Sequence, residues 1–298
     1  MVSIPQFSII TPSLNGARFL TEMVESVQTV GREIAFEHIV LDGGSIDGTR
    51  EILARYPHLR VVEGADEGSH DAMNRGLALA RGEIVGFINT DDRYAPGILG
   101  AVAERFAAEP PLDTLMGRAM LIAERGDTWQ VLGQYPLCRG GGLDLDDLMY
   151  GIPCFNARFF RRRVFAGLGG FDLHFSFAAD RHFLLRLALS GARGAVLDRP
   201  CYFYRSHGRS RTLDATRSNA QTICREHTAI AEALLVGGGA SSARRRALCG
   251  WHAYEVARAA LRGDPSGVTP ALFTDLPWGL AGKLRTLARR HRARVVVS

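Results

Sequence analysis

Short apolar runs alternate with segments of helical periodicity over the first hundred residues, and this alternation limits the possible folds more than any other feature. The predicted strands are residues 7–10, 37–41, 60–63 and 84–88, and the predicted helices are 17–30, 48–56 and 71–80. Asp47 or Thr49 is the expected N-cap of the second helix. Strand and helix alternating at this spacing predict an α/β fold of three layers, α/β/α, around a mostly parallel sheet.

Polar residues stand at the ends of these four predicted strands. They are Thr11 to Asn15 after the first strand, Asp42 after the second, residues 63–66 after the third, and Asp91 with Asp92 after the fourth. Ligands of parallel sheets bind beyond the carboxyl ends of the strands. We therefore expect these residues to line one crevice.

Asp91 and Asp92 place two like charges directly behind a buried strand. Adjacent carboxylates repel each other and resist desolvation, so the pair indicates either a solvated turn or a site where a cation neutralises both. In the first case an aspartate caps the helix that starts near Pro96. In the second case the pair holds Mg²⁺ or Mn²⁺, whose remaining ligands are often substrate phosphates. The pair alone fits both interpretations.

The pattern is looser after residue 96. Residues 97–108 and 181–190 suit helices, 114–123, 129–135 and 196–204 are apolar segments, and 139–142 is a glycine-rich turn. Beyond residue 214 the chain is predicted to be helical, with breaks at 237–239 and 263–265. We predict a catalytic domain over 1–213, with a nucleotide-binding half (1–95) and an acceptor half (96–213), and a helical C-terminal region over 214–298.

Composition excludes several classes of protein. The formal charge of +5 fits nucleic acid, an anionic membrane or a phosphorylated substrate, but no nucleic-acid motif accompanies the arginines, so we expect no nucleic-acid partner. No G-x-G-x-x-G follows the first strand, which argues against a dehydrogenase. Five dispersed cysteines without a C-x-x-C pair predict reduced thiols and a cytoplasmic location. No apolar run reaches the roughly eighteen residues of a spanning helix.

Four longer stretches carry a more specific signal. They are FSIITPSLNGARFL, HIVLDGGSIDGTREIL, GADEGSHDAMNRGLALARGEIVGFINTDD and FFRRRVFAGLGGFDLHFSFAADRHFLLRLAL. Their order and spacing resemble the family-2 inverting glycosyltransferases with the GT-A (nucleotide-diphospho-sugar transferase) fold, over about residues 5–210. The resemblance implies transfer of a sugar from a nucleotide-diphosphate sugar to a glycan, lipid-linked glycan or glycolipid. UDP-sugars are the commonest family donors, with dTDP- and GDP-sugars as alternatives.

The resemblance also implies roles for individual residues. The nucleotide contacts fall on Thr11, Pro12, Asn15, Asp42, Asp66, Asp71, Asn74 and Asp91. The metal ligands fall on Asp91 and Asp92, with His207 as a third candidate, and the ion is Mn²⁺ or Mg²⁺. Arg205, Arg209 and Arg211 are available to the phosphates. The family usually has Asp-x-Asp-Asp here, and Asn89 in the first position removes one charge.

Asp180 is the expected catalytic base. Inverting transfer needs a base that removes the acceptor proton on the sugar face opposite the leaving diphosphate. The family places this base just before a helix that follows a Gly-Gly-Phe-Asp turn, which here is residues 169–172. The simpler interpretation is that Asp180 is the N-cap of helix 181–190. His182 replaces a common acid of the relatives, so the acceptor environment differs.

Two alternative functions are compared with the glycosyltransferase interpretation. A sugar nucleotidyltransferase shares the layered fold but relies on a glycine-rich N-terminal loop with Arg and Lys, whereas residues 10–20 lack a glycine run and the single lysine is Lys283. A basic family member that binds membrane or glycan without catalysis would lack the acids named above.

The C-terminal stretch leaves a second question open. Leu280, Leu284 and Leu287 share one face of a predicted helix over 279–294, with cations on the other. This pattern fits a helix on an anionic membrane, which would place the protein at the inner face of the cytoplasmic membrane, and equally a helix packed on the catalytic domain. The oligomeric state is not readable.

Overall fold

The computed structural model describes residues 4–30, 34–126, 128–208, 217–236, 241–264, 267, 269 and 272–295. The strands are β1 Phe7–Ser13, β2 Phe36–Asp42, β3 Leu59–Glu63, β4 Ile84–Phe87, β5 Arg93–Tyr94, β6 Thr114–Arg125, β7 Thr128–Gln134, β8 Arg158–Arg161 and β9 Gly194–Arg205. The helices are α1 Ala17–Val30, α2 Thr49–Leu53, α3 Ser69–Leu79, α4 Ile98–Ala108, α5 Arg139–Gly142, α6 Leu145–Tyr150, α7 Arg162–Leu168, α8 Ala179–Leu189, α9 Arg217–Val236, α10 Ser242–Leu261 and α11 Leu272–Val295. The predicted alternation over the first hundred residues is confirmed.

The described strands form one sheet in the order β3-β2-β1-β4-β8-β6-β9-β5, with β7 paired to β6. The pairs β1–β2, β2–β3 and β1–β4 are parallel, as predicted for the first half. The second half is mixed, because β8 runs antiparallel to both β4 and β6 while β9 runs parallel to β6. The predominantly parallel part is therefore the part built from residues 7–87.

The core lies along the central strands of the parallel half. Ile9 and Ile10 in β1 and Ile39 and Val40 in β2 are fully buried, although successive side chains of a strand point to opposite faces. Burial on both faces is typical of parallel strands covered by helices. It explains why these strands read as continuous apolar runs.

Two helix starts differ from the predictions. The N-cap of α2 is Gly48, with φ 91°, and not Asp47 or Thr49. Asp47 Oδ2 instead accepts the N–H of Ala17 at the start of α1, over 3.1 Å. The N-cap of α8 is Ala178, so Asp180 lies inside the first turn and is not the N-cap.

The chain divides into two compact units. The first comprises residues 1–142, 154–176 and 191–207, and the second comprises 143–153, 177–190 and 208–298. The first unit contains the sheet, and the second contains α6, α8 and the C-terminal helices. The domain boundary at residue 213 stays a prediction. In the structure, segments 143–153 and 177–190 group with the C-terminal helices. Of the helices that the structure describes, none has the length and apolar character needed to span a bilayer.

Candidate functional site

The carboxyl ends of β1, β2 and β3 are aligned. Ser13 pairs with Asp42, and Asp42 pairs with Glu63, at the last positions of the three strands. At the next strand, the N–H of Ile88 donates to the carbonyl of Ile10 over 3.0 Å. The predicted convergence of polar strand ends is therefore confirmed for this edge of the sheet.

Asn15 connects the loops that follow β1 and β2. Its φ of 52° is left-handed, a conformation that Asn tolerates better than most residues. Its N–H donates to Ser45 Oγ over 2.8 Å, and its Oδ1 accepts the N–H of Ile46 over 2.9 Å. These bonds hold the two loops together, so a ligand at this edge meets a preorganised surface.

Asp42 is buried at the end of β2. Its carboxylate accepts the backbone N–H of Ser45 over 3.2 Å and Nε of Arg50 over 3.1 Å. The charge is thereby partly neutralised by the half-exposed Arg50 guanidinium. A contact between Asp42 and a nucleobase stays a prediction.

The glycines after Asp42 have two different functions. Gly44 and Gly48 have φ of 101° and 91°, as expected for turn glycines. Gly43, by contrast, does not have a positive φ. A Cβ on Gly43 would lie 2.6 Å from Asp66 Oδ2, so a larger residue at this position would displace the Asp66 carboxylate.

Thr11 and Pro12 lie within the last residues of β1. The Thr11 hydroxyl is buried and lies 2.9 Å from Nε2 of His38. Burial lowers the pKa of His38 to about 3, so this imidazole is neutral at physiological pH. The Thr11 side chain therefore packs in the interior. Contact between Thr11 and a nucleotide stays a prediction, and it would involve the backbone.

Asp71 and Asn74 lie on the first turns of α3. Asp71 Oδ2 accepts the N–H of Glu67 over 3.2 Å, which closes the loop that enters the helix. Asn74 makes a two-way contact with the backbone of Phe171: Nδ2 donates to its carbonyl over 2.9 Å and Oδ1 accepts its N–H over 2.8 Å. Asn74 thus holds the Gly-Gly-Phe-Asp turn against α3, and nucleotide binding by either residue stays a prediction.

Asp92 is buried, and both of its carboxylate oxygens accept hydrogen bonds. Tyr202 Oη donates to Oδ2 over 2.7 Å, and the N–H of Arg205 donates to Oδ1 over 2.8 Å. Asn89 Nδ2 also donates to Oδ2, over 3.3 Å. Burial raises the pKa of Asp92 well above its usual value, the Asp91 charge adds to this, and the hydrogen bonds oppose it. Asp92 thus ties the segment after β4 to β9, and metal ligation by Asp92 stays a prediction.

Asp91 points elsewhere and meets His207. Asp91 Oδ2 lies 2.9 Å from His207 Nε2, and the two side chains are 31% and 14% exposed. Two neighbouring ligands of an octahedral ion, each about 2.1 Å from it, lie roughly 3 Å apart. Carboxylate oxygen and neutral imidazole nitrogen are also ligand types that Mn²⁺ accepts. The pair therefore fits a divalent ion, although no cluster of three or more such side chains occurs among the described residues.

Arg205 holds the backbone of Asp91 in place. It is buried, its Nε donates to the carbonyl of Asp91 over 2.9 Å, and its Nη2 contacts Glu22 over 2.9 Å. The guanidinium also lies 4.3 Å from the centre of the Phe19 ring. Arg205 thus contacts other groups of the protein, contrary to the expectation that it would be available to phosphates. Arg209 and Arg211 lie outside the described residues.

Sequence reasoning missed the part played by Tyr202. Its signal was a tyrosine in the apolar run that forms β9, which by itself is typical of any core strand. Tyr202 Oη donates to Asp92 and also accepts the N–H of Asn89 over 3.1 Å. The hydroxyl is thereby the junction between β9 and the loop that carries both aspartates.

We expect Tyr202→Phe to lower the free energy of unfolding by about 1.5–3 kcal/mol, because Oδ2 of the buried Asp92 loses its 2.7 Å donor and keeps only the 3.3 Å bond from Asn89. Urea denaturation at neutral pH measures this change. Tyr56→Phe, at a half-exposed position, is the control and should change stability by less than about 0.5 kcal/mol. An unaltered midpoint for Tyr202→Phe would mean that the hydroxyl does not support Asp92.

Asp180 belongs to the second unit, on the first turn of α8. It is partly exposed, and its Oδ1 accepts the N–H of Arg181 over 2.6 Å. The start of this helix is fixed by Glu226, whose Oε2 accepts the N–H groups of Phe177 over 2.9 Å and Ala178 over 2.8 Å. Nothing in the local sequence indicated Glu226.

Comparisons with known proteins identify the family of the chain. A model described as "Glycosyl transferase family 2" matches residues 8–169. The "PGL/p-HBAD biosynthesis glycosyltransferase" of Mycobacterium bovis (strain BCG / Pasteur 1173P2) is 34% identical over 191 residues, which cover 61% of this chain and 69% of that protein. The "Uncharacterized glycosyltransferase YibD" of Escherichia coli (strain K12) is 33% identical over 135 residues, covering 44% of this chain and 39% of that one.

Solved structures agree on the fold. S. aureus TarS 1-349 in complex with UDP-GlcNAc superposes with a TM-score of 0.64 at 18% identity, over 93% of this chain and 79% of that chain. In a longer TarS chain the match spans 46% of the length. The mannosyltransferase PcManGT from Pyrobaculum calidifontis, in complex with GDP-Man and Mn²⁺, gives 0.58 at 19% identity, over 99% and 87% of the two chains. The chain belongs to glycosyl transferase family 2 and is a glycosyltransferase with the GT-A fold.

Proposed function

We propose that the protein transfers a sugar, with inversion, from a nucleotide-diphosphate sugar to a hydroxyl group of its acceptor. The observation that carries the proposal is the pair formed by Asp91 and His207 at the carboxyl edge of the parallel strands, held in place by buried Asp92 and Arg205. Such an edge is where α/β sheets bind nucleotides. The family membership supports the same class of reaction.

Asp91 and His207 are the residues that would hold a divalent ion, Mn²⁺ or Mg²⁺. The bound ion would neutralise charge on the diphosphate as it departs. PcManGT, which shares the fold, was solved with Mn²⁺. Asp92 and Arg205 would act as positioning residues, because they fix the backbone on both sides of Asp91 and the start of the segment that carries His207.

Asp180 would accept the proton of the acceptor hydroxyl. In that step the acceptor oxygen forms a bond to the anomeric carbon, the bond from that carbon to the diphosphate oxygen breaks, and the nucleoside diphosphate leaves with the electron pair. The carboxylate on the first turn of α8 suits a base because it is partly exposed, and its Oδ1 accepts the N–H of Arg181. Glu226 would keep the helix start, and so the base, in a fixed position.

The proposed donor is a UDP-sugar. Asp42 at the end of β2 and Asp66 in the loop after β3 are the acidic side chains that would read the nucleoside, and the loop carrying Asn15 would lie beside it. TarS, which shares the fold, was solved with UDP-GlcNAc, whereas PcManGT was solved with GDP-Man. The base of the nucleotide is therefore the first property to test.

The proposed acceptor is a glycan, a lipid-linked glycan or a glycolipid. The relative at 34% identity is named for PGL/p-HBAD biosynthesis, which supports a biosynthetic role of this type. We propose that the protein works in the cytoplasm, at the inner face of the membrane where such acceptors are built.

A donor-hydrolysis screen tests this function. With Mn²⁺ or Mg²⁺ present, we expect UDP-sugars to be hydrolysed at least about tenfold faster than GDP-sugars, which corresponds to about 1.4 kcal/mol of preference for the base. Release of the nucleoside diphosphate is the measurement, with EDTA as the control. Preference for GDP-sugars would contradict the proposed donor, and the absence of both hydrolysis and binding for every nucleotide sugar would contradict the site.

A further inference from the structure

Helix α11 is packed along one side against other helices of the second unit. Gly279 and Gly282 are at the contacts: a Cβ on Gly279 would lie 2.1 Å from the carbonyl oxygen of Gly250 in α10, and one on Gly282 would lie 2.5 Å from Tyr150 in α6. Thr286, one turn further, is buried. The positions 279, 282 and 286 follow helical spacing and define the buried side. Internal packing of this helix is thus achieved by small residues.

The opposite side of α11 is apolar and exposed. Leu280, Leu284 and Leu287 follow the spacing i, i+4, i+7, and they are 47%, 63% and 46% exposed. We call these three residues the leucine stripe. Because the small residues already make the contacts with α10 and α6, the stripe is not needed to hold the helix in place. The packed side and the exposed apolar side are therefore different sides of one helix.

The charge of the same segment indicates what covers the stripe. Residues 276–298 contain no Asp or Glu, and their cations are Lys283, Arg285, Arg289, Arg290, Arg292 and Arg294. Lys283 donates to the carbonyl of Tyr150 over 3.0 Å and Arg285 pairs with Asp146, so the first two already have partners within the second unit. The four later arginines lie in the last turns of the helix, next to the stripe along the chain. An anionic surface complements this combination.

A second copy of the chain is a poorer occupant. Two leucine stripes brought together would also bring together two segments that each carry only positive charge, and like charges repel. A neutral apolar partner would leave the arginines without a function at the interface. An anionic phospholipid surface satisfies both features, since leucines enter the boundary between headgroups and acyl chains while arginines meet the headgroups.

We propose that α11 binds the surface of an anionic phospholipid bilayer, with the leucine stripe inserted and the positive charge of residues 276–298 attracted to the headgroups. This inference goes beyond the proposed transfer reaction and does not depend on it. Each cation near such a surface contributes roughly a fivefold increase in partitioning, and this attraction is screened by salt. The leucines add an apolar contribution that salt does not weaken.

Co-sedimentation of the full-length protein with liposomes tests the proposal. We expect binding to vesicles of phosphatidylcholine with phosphatidylglycerol, little binding to phosphatidylcholine alone, and weaker binding as salt rises from about 50 to 300 mM. The triple variant Leu280→Ser, Leu284→Ser, Leu287→Ser should bind at least about tenfold more weakly at low salt. Replacing the four terminal arginines by Gln should weaken binding at least about a hundredfold.

Substitution is preferable to truncation here, because removal of α11 would expose its packing surface on α10. Leu132→Ser with Leu261→Ser, at exposed positions elsewhere, is the matched control and should bind as the unaltered protein does. Thermal denaturation verifies that the triple variant is folded. Unchanged binding of the folded triple variant, or equal binding to neutral vesicles, would overturn the proposal. The proposal would also be overturned if the unaltered protein did not bind lipid and formed a dimer, and if the triple variant were a monomer.

Discussion

Asp180→Asn is expected to reduce turnover at least about a hundredfold, because general base catalysis contributes typically two to four orders of magnitude. Asparagine has nearly the same shape, and its Oδ1 still accepts the N–H of Arg181, so α8 should remain intact. The affinity for UDP should change by less than about threefold, since the lost interaction belongs to the transition state. Release of nucleoside diphosphate with acceptor present measures turnover, and calorimetry measures affinity.

The control for this experiment is Asp198→Asn, which removes an exposed carboxylate paired with Arg118 and should leave turnover unchanged. If Asp180→Asn abolishes UDP binding in a folded protein, Asp180 is a nucleotide or structural residue. If transfer survives within a few fold, the base is another group. Asp172 and His182 are then the residues to replace next.

UDP is expected to bind tightly only with Mn²⁺ or Mg²⁺ present, and Asp91→Asn is expected to remove most of this dependence. A diphosphate beside two carboxylates is repelled unless a cation lies between them. Loss of a residue that merely supports a metal ligand weakens metal binding 10- to 100-fold, so loss of the ligand should cost at least about that much. Calorimetric titration with UDP, in Mn²⁺ and in EDTA, measures the effect. Equal affinity in EDTA for the unaltered protein would refute the metal site.

The variant Asp92→Asn distinguishes the role of Asp92 from that of Asp91. Its carboxylate accepts bonds from Tyr202 and Arg205, so we expect a less stable protein, by about 1–3 kcal/mol. Asp91→Asn should leave stability nearly unchanged because its side chain is partly exposed. If Asp92→Asn instead removes metal dependence without a loss of stability, Asp92 is the ligand, as the family resemblance implied. Asp198→Asn again serves as the control.

The first half of the fold was predictable from the sequence because its signals are local. Apolar runs and helical periodicity repeat within windows of about ten residues, and β1 to β4 with α1 and α3 follow them closely. The polar residues after each strand were also expected at one edge of the sheet, since parallel strands end at the same side, and the strand registers agree. The second half was harder, because β8 and β9 pair with strands far away in the sequence.

The sequence by itself determined which polar residues follow the strands at the sheet edge, but the tertiary structure decided what each one touches. Asp91 and Asp92 are neighbours with the same side chain, yet one meets His207 and the other meets Tyr202, more than a hundred positions later. Likewise the pattern of α11 allowed packing or exposure, and the contacts with α10 and α6 assign them to opposite sides. The physical reason is that desolvation, hydrogen bonding and close packing depend on partners brought together only by folding, whereas periodicity reports which side of an element is apolar.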